Sequence, residues 1–218
     1  MADESIRILV VEDHHVVRQG LITLLELVEG FKVVGEAADG VEAITQFHLC
    51  RPDVTLIDLR MPGLSGVRVV ETIRLDLKEA RFIVLTNYDG EEDVYRALRA
   101  GVRCYLLKSS TGDELVSAIR LVYEDKPYLP EEIAEKLAAR VSRKGLTERE
   151  TDILEHIVQG RSNKKIASLL DISEATVRSH INNLLKKLDV SDRTQAATTA
   201  IQRGLVNSEF PKAGSEES

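Results

Sequence analysis

Tryptophan is absent from the 218 residues, aromatic side chains make up 4%, and only two cysteines and two methionines occur. Any core must therefore be built almost entirely from aliphatic side chains. Cys50 and Cys104 lack metal-ligand spacing, and Cys104 lies in an apolar run, so both are expected to be reduced, buried thiols. No apolar run approaches the ~20 residues a membrane helix requires. The opening Met1-Ala2-Asp3-Glu4-Ser5 has neither the basic nor the apolar part of a signal peptide, so a cytoplasmic protein is expected. Gly-x-Gly-x-x-Gly and Walker patterns are also missing, which leaves nucleotide chemistry unsupported. No internal repeat is present.

What is present is unevenly charged. The whole chain carries −7, and residues 1–126 alone account for −7. Residues 145–210 balance, yet within 161–187 Arg161, Lys164, Lys165, Arg178, Lys186 and Lys187 face only Asp171 and Glu174, a local +4. An acidic front half and a locally basic stretch behind it imply two domains with different partners.

The front half alternates strand and helix signals. Ile6–Val11, Lys32–Ala37, Val54–Asp58, Phe82–Thr86 and Cys104–Leu107 are short apolar runs rich in branched residues. Between them Val17, Leu21, Leu24, Leu25 and Val28, and the stretches 40–49, 66–76, 91–100 and 113–124, carry helical spacing. Arg51-Pro52 breaks one helix, Met61-Pro62-Gly63 makes a turn, and Gly30 and Gly101 close helices. Five near-continuous apolar strands separated by helices predict a doubly wound, flavodoxin-like five-stranded parallel sheet covered on both faces. Ligands of such sheets bind outside the carboxyl ends of the strands. Glu12, Asp13, Asp58, Thr86 and Lys108 all fall there.

Clustered carboxylates with a backbone carbonyl bind Mg²⁺, and the ion neutralises a phosphoryl donor while an aspartate oxygen attacks phosphorus in line. Asp13 and Asp58 are the candidate direct ligands, Glu12 acts through water, and Arg60 offers its main-chain carbonyl. Lys108 supplies a point charge for the phosphoryl group and Thr86 a hydroxyl. Taken singly these residues have ordinary explanations: Asp13 and Thr86 as helix caps, Lys108 as a solvated strand end. Their joint occurrence at the ends of strands one, three, four and five makes the phosphorylation reading the stronger. A haloacid-dehalogenase-like phosphatase would need a second acid two residues after Asp58, where Arg60 stands.

With Glu12-Asp13, Asp58, Met61-Pro62-Gly63, Thr86, Tyr105 and Lys108 in order, residues 5–124 resemble a response-regulator receiver domain. The resemblance implies a Mg²⁺-dependent phosphoacceptor, Asp58, charged by a sensor histidine kinase, and switch residues Thr86 and Tyr105 that move inward. It implies self-phosphorylation and slow autodephosphorylation, not an enzyme in the ordinary sense. Two positions depart from the commonest pattern. Asn87 stands where a small residue often follows the threonine. Ser109 stands where many receivers have proline, and a cis bond at a non-proline residue costs ~2.5–4 kcal/mol.

Lys126-Pro127-Tyr128-Leu129-Pro130 interrupts the alternation. Residues 131–142 then read as a charged, semi-rigid connector helix with Ile133, Leu137 and Val141 along one stripe. Thr147 to Glu150 form a capping box, and helices are predicted over 147–159, 163–170, 173–188 and 192–203. A tight turn at Asp171-Ile172 and an N-cap at Ser173 make a helix-turn-helix candidate, with Ile166, Ala167, Leu170, Val177, Ile181, Leu184 and Leu188 as its buried face. Arg178, Ser179, Asn182 and Asn183 lie on the outer face, where Arg and Asn match guanine and adenine edges. Thr176 opens that face, and Lys164, Lys165, Lys186 and Lys187 lie toward phosphates; His180 has no partner set and reads as a packing group.

Residues 145–206 resemble a LuxR-type DNA-binding domain through Leu146-Thr147-Glu148-Arg149-Glu150, Gly160, Asn163-Lys164-Lys165-Ile166-Ala167, Ser173, Thr176-Val177-Arg178, His180 and Leu184-Lys186-Leu188. Receiver plus this module is the NarL/FixJ-type response regulator. The expected division is a receiver at 1–126, a linker at 127–144, a small all-α helix-turn-helix domain at 145–208 and a disordered tail at 209–218. The implied partners are a sensor kinase, double-stranded promoter DNA, a second copy on activation, and RNA polymerase. The alternative is a phosphorylation-independent dimerising regulator with a degenerate receiver. Since phosphate only adds negative charge near DNA, control must pass through a two-state element that undocks the output domain and favours a receiver dimer. Small residues Ala196, Ala197 and Ala200 are expected to let output domains pair closely on DNA.

Overall fold

A computed structural model describes residues 5–141 and 145–206, so the tail expected at 209–218 lies outside the described residues. The chain divides into two compact units, one built from residues up to 89 and 94–137 and the other from residues 90–93 and those from 138 on. In the first, five strands, β1 (Ile6–Val11), β2 (Phe31–Ala37), β3 (Val54–Ile57), β4 (Phe82–Thr86) and β5 (Cys104–Leu107), pair in the order β2-β1-β3-β4-β5. All pairs are parallel. Helices α1 (His15–Glu26), α2 (Gly40–Cys50), α3 (Gly66–Asp76), α4 (Glu91–Ala100) and α5 (Gly112–Tyr123) connect and follow them.

The period-2 geometry of a strand sends alternate side chains to opposite faces, and β1 shows it. Leu9 and Val11 enter one aliphatic cluster with Phe47, Val69, Ile73, Val94 and Tyr105. Ile6, Ile8 and Val10 enter the other with Leu25, Leu115, Ile119 and Val122. Each fully buried aliphatic side chain contributes about 1.5–3 kcal/mol, so two covered faces suffice without tryptophan.

Register positions the site. Val11 is level with Ile57, and the Asp58 amide donates to the Val11 carbonyl at 3.0 Å, so Glu12 and Asp58 leave adjacent strand ends together. Thr86 is level with Leu107, and the Lys108 amide donates to the Thr86 carbonyl at 2.9 Å. The strand order reverses between β1 and β3, which opens the crevice at those ends. Gly66 starts α3 directly against the Asp58 main chain: a Cβ there would fall 2.2 Å from the Asp58 carbonyl oxygen. All described peptide bonds are trans, the Lys108–Ser109 bond among them.

Helix α6 (Glu131–Val141) is less of a free connector than its charge predicts. Ile133 is buried in the same cluster as Tyr105, with Leu129 and Leu137 packed against it. Lys136 pairs with Asp89 in the β4–α4 loop and with Glu132 at 2.9 Å. Val141 is 65% exposed, so the apolar stripe engages the receiver only over its first two turns.

The second unit holds α7 (Glu148–Val158), α8 (Asn163–Leu169), α9 (Glu174–Leu188) and α10 (Arg193–Gln202). The expected capping box is formed: Thr147 Oγ1 accepts from the Glu150 amide, and the Glu150 carboxylate accepts from the Thr147 amide. One cluster joins Ile153, Ile157, Ile166, Val177 and Ile181; another joins Leu154, Leu184, Leu188, Ala196 and Ala200. The pairing role expected of α10's alanines is thereby corrected. Ala196 and Ala200 are wholly buried, because their small size lets α10 lie close on α7 and α9, and Ala197 packs on the neighbouring cluster.

Candidate phosphorylation site and nucleic-acid interface

At the strand ends one ammonium joins two carboxylates. Lys108 Nζ stands 2.6 Å from Asp58 Oδ2 and 2.6 Å from Glu12 Oε2. Glu12 is 2% and Asp58 4% exposed. Burial works against the Lys108 ammonium, but hydrogen bonds to Asp58 and Glu12 and their charges outweigh it and raise its pKa. The solvated-strand-end reading of Lys108 is thereby excluded. Thr86 Oγ1 donates to Asp58 Oδ1 at 2.8 Å, so it caps no helix. The cap position of α1 is His14, with no side-chain cap, so Asp13 is not a cap either.

Thr86 and Tyr105, the residues expected to switch, both stand inward. Thr86 is on the Asp58 carboxylate, and Tyr105 is fully buried with its hydroxyl donating to the Tyr88 carbonyl at 2.5 Å. The Arg60 amide lies 3.3 Å from Asp58 Oδ1, and its guanidinium lies over the Tyr88 ring, 3.5 Å from the centroid. The β3–α3 loop and the β4–α4 loop thus touch above the site. Asp13 is more open than Glu12 and Asp58, and ligand atoms of Glu12, Asp13 and His14 lie within 4.8 Å of one another. Carboxylate oxygens gathered at a crevice mouth suit a hard divalent ion such as Mg²⁺. The Asp13 and Glu12 charges raise the His14 pKa.

In the output unit the turn of the helix-turn-helix is held in place. Asp171 takes a left-handed conformation (φ 51°), which Asp tolerates better than most side chains. Arg149 Nη2 donates to the Leu170 carbonyl at 2.7 Å and so braces the turn. Ser173 Oγ accepts from the Thr176 amide at 3.1 Å and opens α9. Lys164, Lys165, Thr176, Arg178, Ser179, Asn182, Asn183 and Lys186 are all exposed, and His180 is half-buried. Thr176 Oγ1 also pairs with Ser173 Oγ at 2.9 Å. Lys187 departs from the phosphate-facing expectation: its Nζ is 2.7 Å from Glu150 Oε2. Burial alone would raise the Glu150 carboxyl, but Lys187 and the Thr147 cap hold it below its ordinary value.

Residues 8–120 match the family described as response regulator receiver domain, and residues 144–200 the family described as bacterial regulatory proteins, luxR family. The chain is a response regulator. The LiaR transcriptional regulatory protein of Bacillus subtilis is 41% identical over 210 residues, spanning 93% of this chain and all of LiaR. The VraR response regulator of Staphylococcus epidermidis is 39% identical over 207 residues, spanning 93% and 99%. Among solved structures, the response regulator ChrA of a heme-sensing two-component system is 38% identical, with a TM-score of 0.56 over 93% of this chain and 100% of ChrA. Salmonella typhimurium RcsB shares the fold, with a TM-score of 0.67 at 24% identity over 89% and 98%. This response regulator therefore joins a receiver to a LuxR-type DNA-binding domain and is a transcription factor. Among the described residues no helix is long and apolar enough to cross a membrane.

Several residues of the regulator's two sites escaped the sequence reading. Arg18, Tyr88 and Arg193, and the brace that the motif residue Arg149 makes, act through contacts with main-chain groups or ring faces, which leave no spacing signature. Arg193 Nη1 donates to Asn163 Oδ1 at 3.1 Å, and its Nη2 to the Arg161 carbonyl, fixing the start of α8. Burial lowers the Arg193 pKa. Arg18 offered a faint signal, a cation one helical turn after the acidic pair.

Proposed function

We propose that Asp58 accepts a phosphoryl group from the phosphohistidine of a sensor kinase and that the signal controls transcription. The observation that carries this reading is Lys108 Nζ lying 2.6 Å from both Asp58 and Glu12, at a crevice with Asp13 at its mouth. A lone buried aspartate is a poor nucleophile. Here Lys108 fixes one oxygen and Thr86 the other, so the carboxylate is oriented before a donor arrives. An Asp58 oxygen forms the P–O bond as the donor's P–N bond breaks, and the imidazole takes up a proton. Mg²⁺, held by Asp13, Asp58 and the Arg60 carbonyl with Glu12 through water, would neutralise charge on the phosphoryl oxygens. Lys108 and Thr86 then hold the product's new oxygens.

On the output side, Arg178, Ser179, Asn182 and Asn183 face base edges, while Lys164, Lys165, Thr176 and Lys186 meet phosphates or the groove wall. Activated protein binds promoter DNA as a homodimer in the cytoplasm, where RNA polymerase reads the outcome. Incubation with acetyl phosphate and Mg²⁺ tests the first step by intact mass. Wild type is expected to gain one phosphoryl group and Asp58→Asn none. Equal uptake by the variant overturns the assignment and leaves the phosphorylation-independent regulator in its place.

A further inference from the structure

The acidic pair hangs on a side chain from the following helix. Arg18 lies in the first turn of α1 with its side chain 13% exposed. Its Nη1 donates to the main-chain carbonyl of Glu12 at 2.7 Å. Its Nε donates at 2.8 Å to Glu36 Oε2 near the end of β2, and the same oxygen accepts from Gln19 Nε2 at 3.0 Å. One guanidinium thus ties the β1–α1 turn to its own helix and to the neighbouring strand. That turn starts α1 without a side-chain cap; the Glu12 amide donates to the Ala37 carbonyl at 3.0 Å and the His14 amide to Glu12 Oε1 at 3.1 Å, and Arg18 adds the tie on the Glu12 carbonyl.

We propose that Arg18 is a positioning residue for the metal-binding carboxylates. The inference rests on the proposed role of Asp13 and Asp58 as Mg²⁺ ligands. A turn fixed in advance does not have to be ordered each time the ion binds, so preorganisation tightens binding. Arginine suits the task because its planar fork meets two acceptors in different directions at once. Its charge works the other way: a cation close to the site repels Mg²⁺. Positioning and charge therefore predict opposite signs when Arg18 is removed.

The test is Mg²⁺ affinity of full-length protein by calorimetry, with thermal midpoints confirming that each variant folds. Asp13→Asn is expected to abolish binding. Arg18→Ala is expected to weaken it roughly ten- to a hundredfold, as loss of an outer partner of a ligand does. Arg18→Lys restores part of the loss, because an ammonium still reaches the Glu12 carbonyl. Glu36→Ala gives a smaller loss in the same direction. Beryllofluoride binding at saturating Mg²⁺ stays near wild type in Arg18→Ala, which separates ion capture from phosphoryl recognition. Unchanged or tighter Mg²⁺ binding in Arg18→Ala overturns the proposal, as does Arg18→Lys behaving no better than Arg18→Ala. Should Arg18→Ala fail to fold, Glu36→Ala decides, and wild-type affinity there overturns it. If Asp13→Asn binds Mg²⁺ as wild type does, the metal site itself has been misread, and the role given to Arg18 falls with it.

Discussion

Replacing Lys108 with methionine keeps the apolar stem and deletes the one cation between two buried carboxylates. Glu12 and Asp58 then face each other almost without water, at 2% and 4% exposure. Removing one partner of a buried ion pair costs about 3–5 kcal/mol when the pocket is dry. Lys108 keeps 11% side-chain exposure and Asp13 lies at an open mouth, so about 2–3 kcal/mol is expected here. For a domain of this size that is roughly a 10 °C fall in the receiver's thermal midpoint. All five tyrosines lie between residues 88 and 128, so near-ultraviolet circular dichroism follows the receiver without the output domain. The decisive comparison is the double variant. In the wild-type background Asp58→Asn removes a paired charge and destabilises; in the Lys108→Met background it removes an unpaired one and should restore stability. If Asp58→Asn destabilises both backgrounds equally, the two carboxylates are not competing for Lys108, and the electrostatic account of the site is wrong.

On DNA, Arg178→Ala should cost about 1–3 kcal/mol at the preferred site and relax its sequence preference in competition binding. Lys186→Ala should weaken all DNA alike and lower the salt slope by about one, because a phosphate contact releases one counterion. Ala200→Leu should destabilise the output domain by about 1–3 kcal/mol through overpacking, read in helical circular dichroism, whereas a dimer-interface alanine would tolerate leucine in the monomer. Burial pushes the Cys104 thiol up to about 12. At pH 8–9 an alkylating reagent should therefore modify half-buried Cys50 and spare Cys104 until the receiver unfolds. The raised thiol contributes stability that is fully present at neutral pH and is lost as the solution is taken toward pH 12.

The receiver was legible because each signal sat where the backbone delivers it. Branched runs ending at Val11, Ile57, Thr86 and Leu107 are strands, and the residue at the end of each run or just after it must emerge at the crevice. The capping box at Thr147 and the Ser173 cap are equally local, and both formed. What stayed hidden depends on pairing across sequence. The Ala196 and Ala200 side chains look like a pairing face until α7 and α9 cover them, because smallness suits a helix–helix core as well as an interface. Lys187 looks like its neighbour Lys186, yet one step around α9 turns it to Glu150. Arg18 grips a carbonyl, and a carbonyl is present at every position, so no motif announces it. In α6, the charge pattern suggested a spacer, while Ile133 and Lys136 found partners some 50 residues back in the chain.

The anchoring of α6 shortens the tether between the two functions. Leu137 is the last residue packed on the receiver core, and Leu146 already packs on the output core. Eight residues, 138–145, lie between those two positions in the sequence. The output domain therefore follows its receiver after eight residues of chain rather than after an eighteen-residue spacer. In a receiver dimer, two so leashed domains would search a small common volume. Once one recognition helix is seated, the other meets its half-site at a local concentration that short tethers place in the millimolar range. Lengthening the tether would dilute that second encounter without altering any contact to DNA.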